Sequence, residues 1–385
     1  MRAIVLLGVA AFATQAMVRA TDSLLPQIAA DLGTTIGAAS VVVTAYAASH
    51  GSVQLIVGAL GDRLGKYTTV AGACAFSSLL VLMCGLAHSL GVLILARLAS
   101  GAAAAWIIPL AVAFIGDVVP YESRQRVLGR LLFGQIVGQV FGQSVAGIVG
   151  DFFGWRSVFF LLAALFALAA VALVREIAVN PLTRAGTRID FHWRGILADY
   201  GAVATNPWAR TVLLAGFLAG ALMFGPFAFV ASDLHVRYGL SYTLTGMIIA
   251  TFAVGGLVYA VMVRQLVEGM GEVGLVLGGG VLLAVAYLLL STETTWWLAP
   301  FAVTGSGLGF YMIQATLQTH ATQMVPLARG TAVSVFGSAF YLGQTVGVAV
   351  AAPIVDRYGA PEVFAAAAVL FPVLSWWFAW RLRRH

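Results

Sequence analysis

The sequence predicts an all-α membrane protein of twelve transmembrane helices, arranged as two six-helix pseudo-repeats. Three observations carry that prediction. Of 385 residues, 61% are hydrophobic and only 9% are Asp, Glu, Lys or Arg, whereas a typical soluble domain is roughly 25% charged. A soluble fold of this composition would have no surface to present to water. The apolar runs have the length of about 20 residues that a helix needs to cross the hydrocarbon. Finally, polar and glycine positions in the second half of the chain repeat those in the first.

Taken in order, the spans are expected at 4–25, 37–60, 67–87, 91–116, 128–150, 156–174, 210–232, 242–263, 273–291, 296–318, 330–352 and 360–380. Short charged or Gly-rich corners separate most of them. The longest polar stretch, Arg175 to Arg210, reads as a loop between halves because of its Asn, Pro, Gly, Arg and Asp content. The expected organisation is therefore a bundle over 1–174, a linker over 175–209 and a second bundle over 210–385. The first span is too long for a signal-peptide core, carries Arg19 and Asp22, and runs into Leu25-Pro26-Gln27 instead of a small-residue cleavage site. Cys74 and Cys84 share one span, too far apart along a helix to bond each other, and read as buried apolar residues.

Twelve spans put both termini on one side. That side holds sixteen of the 21 cations, the opposite side holds Arg156, Arg237 and Arg357, and Arg19 and Arg97 lie inside spans. The positive-inside rule makes the rich side cytoplasmic. The net charge of +6 is thus a topology signal and does not indicate a nucleic-acid partner.

The repeat is explicit. A shift of 205 residues aligns Arg124 with Arg329, Gly138 with Gly343, Gln139 with Gln344 and Gly142 with Gly347. It also aligns Asp151 with Asp356, Gly154 with Gly359, Val158 with Val363 and Phe159 with Phe364. Spans five and six thus correspond to eleven and twelve. Repeated halves with a binding site between them are a common transporter plan.

Gly58-Ala-Leu-Gly-Asp62-Arg63-Leu-Gly65-Lys66 places an acid and cations between two nearly uncharged segments. Lipid tolerates such groups only where they are paired or face water. Glycines 58, 61 and 65 are expected to let the chain turn there and neighbours approach closely. The stretch resembles the G-x-x-x-D-R-x-G-K/R signature between helices two and three of the major facilitator superfamily. Arg97-Leu-Ala-Ser-Gly101 resembles that family's R-x-x-q-G motif. Gly129, Gly138, Gly142 and Gly147 resemble its fifth-helix antiporter motif, G-x8-G-x3-G-P-x-x-G-G, with Gln143 at the proline position and Ala146 at the first closing glycine. The resemblance covers essentially the whole chain and is closest to the twelve-helix drug/proton antiporter-type subfamily. It implies the major facilitator fold, alternating access and a cytoplasmic gate at Gly58, Asp62, Arg63, Gly65 and Lys66, with Asp117 as a further acid at the inner end of span four. The equivalent corner between spans eight and nine, Val263 to Glu268, lacks the Gly-Asp pattern and reads as a degenerate second latch.

Charge at mid-membrane costs roughly 2.5–3.5 kcal/mol per residue on insertion scales, so each surviving group needs a reason. Arg19 and Asp22 stand three apart on one helical face. Arg97 enters span four at a similar depth, and the fold resemblance brings spans one and four together. One reading makes Asp22 a proton carrier with Arg97 as its coupling partner and Arg19 beside them. The other makes Arg19 and Asp22 a structural pair that snorkels to the outer boundary. His50, with Tyr46 and Gln54 a turn either side, is a proton relay or a neutral packing residue. In span five Gly134, Gly138 and Gly142 form a small-residue stripe for close packing. Beside them Gln135, Gln139 and Gln143 form a ladder that either binds substrate or bonds between helices. Gln314 and Gln318 are weaker candidates of the same kind. The aromatic run around Phe217, Phe224, Phe227 and Phe229 reads as lipid-facing or core.

The remaining histidines have no metal-ligand spacing, and neither a nucleophile–base constellation nor a Walker-type loop is present. The expectation is therefore a transporter and not an enzyme, without cofactor or metal, functional as a monomer in a bacterial plasma membrane. It would export a small organic compound against protons. The alternative is proton-coupled uptake of an organic anion, suggested by two intramembrane arginines against one acid.

Overall fold

Helix follows the apolar runs through nearly the whole chain. The computed structural model describes residues 2–184, 193–292 and 295–384, with side chains described throughout these except at 58–64, 121, 122, 125 and 193–196. Ten helical stretches are long and apolar enough to cross a membrane. One of them, Tyr242–Ser291, is two spans joined at Gly271, whose φ of 64° and ψ of 178° break the helix. Ala299–Gln323 is a further helix of 25 residues, less apolar because it carries Gly, Ser, Thr and Gln. The total is twelve.

Spans one to six are Arg2–Asp31, 36–64, Lys66–Gly85, Leu90–Val118, Tyr121–Phe153 and Trp155–Val179. Spans seven to twelve are Pro207–Tyr238, 242–270, 272–291, Ala299–Gln323, Arg329–Tyr358 and Ala360–Leu382. Span one is interrupted by a single tight turn at Asp22–Leu24, just before Pro26. Between the halves, a helix at Trp193–Thr205 lies against the termini-bearing face. Its Tyr200 hydroxyl donates to the Leu55 carbonyl, and the following Asn206 caps span seven while donating to the Met324 carbonyl.

Within the first half span one packs on span five, two on four and three on six; within the second, seven packs on eleven, eight on ten and nine on twelve. Glycine explains how closely they approach. A Cβ on Gly138 or Gly142 would meet the Phe12 carbonyl oxygen at 2.3 Å or that of Ala16 at 2.2 Å. On Gly343 or Gly347 it would meet the Phe217 oxygen at 2.0 Å or that of Ala221 at 2.2 Å. Phe12 and Phe217, like Ala16 and Ala221, are 205 residues apart. The offset read from spans five and eleven therefore holds for the partners they pack against, and the small-residue stripe is a backbone-to-backbone contact made twice.

Two corners differ from the sequence expectation. Glycines 58 and 61 do not make the turn after span two: the helix runs unbroken to Leu64, and Gly65 alone turns, at φ 81°. Similarly, span eight does not end near Val263 but continues to Met270, with Gly271 turning at φ 64°. Both helices outrun the hydrocarbon, so the polar residues that look like a loop in the sequence are the emergent last turns of a helix. Gly65 and Gly271 are 206 apart, and the same shift puts Glu268 at the place of Asp62. The second corner has thus kept both its turning glycine and its acid. Glu268 pairs with Arg264 on its own helix, both well exposed, an arrangement worth only about 0.3–0.5 kcal/mol.

Replacing Gly142 by Ala is expected to lower the detergent melting temperature clearly, since overpacking costs about 1–3 kcal/mol. Gly72→Ala, where a Cβ meets nothing within 4 Å, is expected to leave it unchanged. Thermal unfolding followed by fluorescence size-exclusion compares the two.

Candidate functional site

The paired packing leaves a cavity of about 330 Å³ between the halves. Its first-half wall includes Gln15, Arg19, His50, Gln54, Gln135 and Gln139. Its second-half wall includes Phe224, Phe252, Phe310, Tyr311, Gln314, Gln318, Phe336, Phe340, Tyr341 and Gln344. Polar amides dominate one wall and aromatic rings the other. The rings form a connected set, with Phe224 against Phe310 at 5.4 Å and Phe340 at 5.8 Å between centroids. Such a combination holds a flat apolar body and bonds to its polar edge.

Arg19 sits at the end of this cavity and spans both halves. Its guanidinium donates to Asp22 Oδ2 at 3.4 Å and to Gln344 Oε1 at 2.9 Å, and lies 3.7 Å from the centre of the Phe224 ring. Cation–π attraction strengthens when both partners are desolvated, and Arg19 is only 4% exposed. The snorkelling reading of this pair is therefore excluded: Asp22, at 1% exposure, is sealed inside the protein. Its Oδ1 has no hydrogen-bond partner among the described residues.

Arg97 lies behind this pair, fully buried and off the cavity wall. Its Nε donates to the Val42 carbonyl at 3.1 Å and its Nη1 to the Met17 carbonyl at 3.4 Å, and the group lies 4.5 Å from the Tyr46 ring centre. Among the described residues it has no ion-pair partner. One guanidinium nitrogen, Nη2, is unpartnered. The three groups expected at one level are thus neighbours, but the chain is Arg97 to carbonyls and Arg19 to carboxylate.

The other expected residues divide cleanly. His50 lines the cavity between Tyr46, 5.6 Å away in a stacked geometry, and Tyr341 of the other half, 4.6 Å away. Gln135 and Gln139 line it too, and Gln135 accepts from Gln15 Nε2 at 3.4 Å. Gln314 lines it with its Oε1 unpartnered. Gln143 does not reach the cavity and is fully buried. Phe224, Phe227 and Phe229 are all buried in the core, and Phe224 lines the cavity as well. The repeat carried the missing signal, because Phe224 is 205 residues from Arg19 and Phe340 the same distance from Gln135.

At the proposed cytoplasmic gate, Gly58, Asp62 and Arg63 lie outside the residues whose side chains are described. Lys66 Nζ reaches Asp117 Oδ2 at 2.6 Å, an ion pair within the first half. Its counterpart in the second half is Glu272 with His320, 3.0 Å apart, where the start of span nine meets the end of span ten.

With the geometry in place, known proteins can be compared. The family model described as Major Facilitator Superfamily matches residues 7–347. The chain belongs to this superfamily. It is 27% identical to the uncharacterised MFS-type transporter YceJ of Bacillus subtilis (strain 168), over 80% of this chain and 78% of that protein. It is 26% identical to the multidrug transporter protein MdtP of the same strain, over 76% and 64%. It is also 26% identical to a chloramphenicol resistance protein of Streptomyces lividans, over 60% and 58%. The chain therefore spans less than two thirds of the length of the last two. A crystal structure of a nucleoside transporter NupG variant superposes with a TM-score of 0.79 at 15% identity, covering 99% of both chains. A POT family transporter in complex with 5-aminolevulinic acid superposes at 0.74 and 13%, covering 97% and 94%. These two show the fold alone. The protein is thus a multi-pass transporter of the major facilitator type and not an enzyme.

Arg97→Lys is expected to destabilise the protein and impair transport together. A point-charge ammonium cannot reproduce the planar fork that serves two carbonyls and a ring. The cost should be about 2–3 kcal/mol, as for a buried donor network broken on one side, and a melting curve beside a transport assay measures it.

Proposed function

We propose that this chain is a proton-coupled secondary transporter that exports a small organic compound by alternating access. In this reading both termini are cytoplasmic, bundles 1–174 and 210–385 rock about the linker 175–209, and one chain suffices. The cation asymmetry of the sequence supports the orientation. The names of two relatives, a multidrug transporter and a chloramphenicol resistance protein, support export.

The observation that carries the proposal is that Arg19 is shared between Asp22, which can hold a proton, and the cavity wall at Gln344 and Phe224. When Asp22 is ionised, the carboxylate draws Arg19 toward itself and leaves Phe224 and Gln344 to the substrate. When Asp22 takes a proton, Arg19 loses that attraction and occupies Phe224 and Gln344 in the substrate's place. Proton and substrate thereby exclude each other through one guanidinium, which is the requirement for exchange of one against the other.

The uptake of an organic anion keeps one supporting observation: among the described lining residues, Arg19 is the one charged group on the cavity wall. Under that reading Arg19→Gln weakens binding of acids and spares neutral compounds.

Asp22→Asn is expected to reduce pH-gradient-driven export in everted vesicles to background while counterflow exchange persists. Unchanged pH-driven export in this variant would remove Asp22 as the carrier. Net uptake of an acid down the same gradient by the unaltered protein would favour the second reading.

A further inference from the structure

Asp151 and Asp356, noticed in the sequence only as repeat markers, take no part in the cavity. Both lie at the face opposite the termini, where spans five and eleven end. Asp151 accepts hydrogen bonds from the backbone N–H groups of Tyr242 at 2.9 Å and Thr243 at 2.5 Å, the first residues of span eight. Asp356 accepts from the Gly37 N–H at 2.8 Å and from the Thr35 hydroxyl at 2.6 Å, at the start of span two. Each carboxylate therefore crosses from one half of the protein to the other.

The two contacts are copies. Asp151 and Asp356 are 205 apart. Thr35 and Ser241, the residues capping spans two and eight through their own hydroxyls, are 206 apart, as are Gly37 and Thr243. The first N–H groups of a helix lack internal partners and carry its positive end, so an acid placed there is held by charge and hydrogen bonds together. The approach is close. A Cβ on Gly37 would stand 2.4 Å from Asp356 Oδ2, and one on Gly147, a turn before Asp151, would stand 2.2 Å from the Tyr242 carbonyl. Beside each clasp the opposing backbones are in contact.

We propose that Asp151 and Asp356 are a symmetric pair of clasps that hold this face shut, so that releasing both is what lets the cavity open there. The pair is arranged for a cycle with two states. Each carboxylate is exposed, so water can solvate it once the halves separate, and the cost of letting go stays small enough to be overcome on every turnover. Each is matched by its copy, so the face closes evenly about the pseudo-two-fold axis. A third acid at this face, Asp31, bonds to Trp155 and Arg156 of its own half and serves as the natural control.

The test needs no substrate, so it is independent of the export reading. Spin labels at His88→Cys and Thr295→Cys, on exposed loops of the two halves at this face, report its opening by pulsed electron resonance in nanodiscs, in a chain with both native cysteines changed to Ala. Asp151→Ala with Asp356→Ala is expected to raise the open fraction about tenfold, the equivalent of one charge-assisted hydrogen bond. Each single variant should shift it less, and Asp31→Ala not at all. A distance distribution in the double variant that superimposes on the parent's overturns the proposal, as does an equal shift from Asp31→Ala. Should the double alanine variant fail to fold, Asp151→Asn with Asp356→Asn is judged by the same two criteria, with a smaller expected shift because the amide keeps an acceptor.

Discussion

Everything in this molecule follows from how closely two pairs of helices approach. Spans one and five, and seven and eleven, touch backbone to backbone because glycine leaves no side chain between them. In lipid there is little hydrophobic force to draw helices together, and such contact is the main source of association. It also fixes position. Arg19 and Phe224 each lie three residues beyond the last of these contacts, on spans one and seven, and are equivalent under the repeat. Residues related by a two-fold axis can touch only near that axis. The 3.7 Å stacking of Arg19 on Phe224 therefore marks the centre of the protein, and the cavity is built around it.

The same packing explains how charge survives at that depth. Arg97 is satisfied mostly by carbonyl oxygens and a ring, so it adds fixed positive charge without consuming the carboxylate. Asp22 is consequently bonded on one side only. A buried acid with a free oxygen is costly, and in the proposed cycle Asp22 is the group whose charge changes. Under the repeat Phe227 stands where Asp22 does, Phe224 where Arg19 does, and Val303 where Arg97 does. The second half supplies an aromatic wall and the first supplies the charge.

Most of the fold was legible in the sequence because hydropathy and glycine spacing are local signals, and the major facilitator resemblance supplied their order. The corners were misread where helices extend past the lipid: Arg264 to Glu268 is polar like a loop but helical like a span, and only the positive φ of Gly271 marks the end. The site was half legible. Arg19, His50, Gln135, Gln139 and Gln314 stood out as polar residues in apolar surroundings, and all five line the cavity. Phe224, Phe252, Phe310, Phe336 and Phe340 carried no such contrast, since an aromatic ring facing a cavity looks like one facing lipid. The repeat set two of them apart, pairing Phe224 with Arg19 and Phe340 with Gln135.

Among the described residues, charged side chains bond across the halves at the face opposite the termini and not at the termini-bearing face. At the termini-bearing face Lys66 pairs with Asp117 and Glu272 with His320, each within one half. These bonds stiffen a bundle and survive any motion between bundles. At the opposite face Asp151 and Asp356 each bond across the halves, so those contacts exist only while that face is closed. The cavity correspondingly extends from Arg19 toward Gln318, which is exposed near the termini-bearing end of span ten. A charge bonded within one half fixes a shape, whereas a charge bonded between halves fixes a conformation. The distribution of the two kinds places this structure with its opening on the side of the termini.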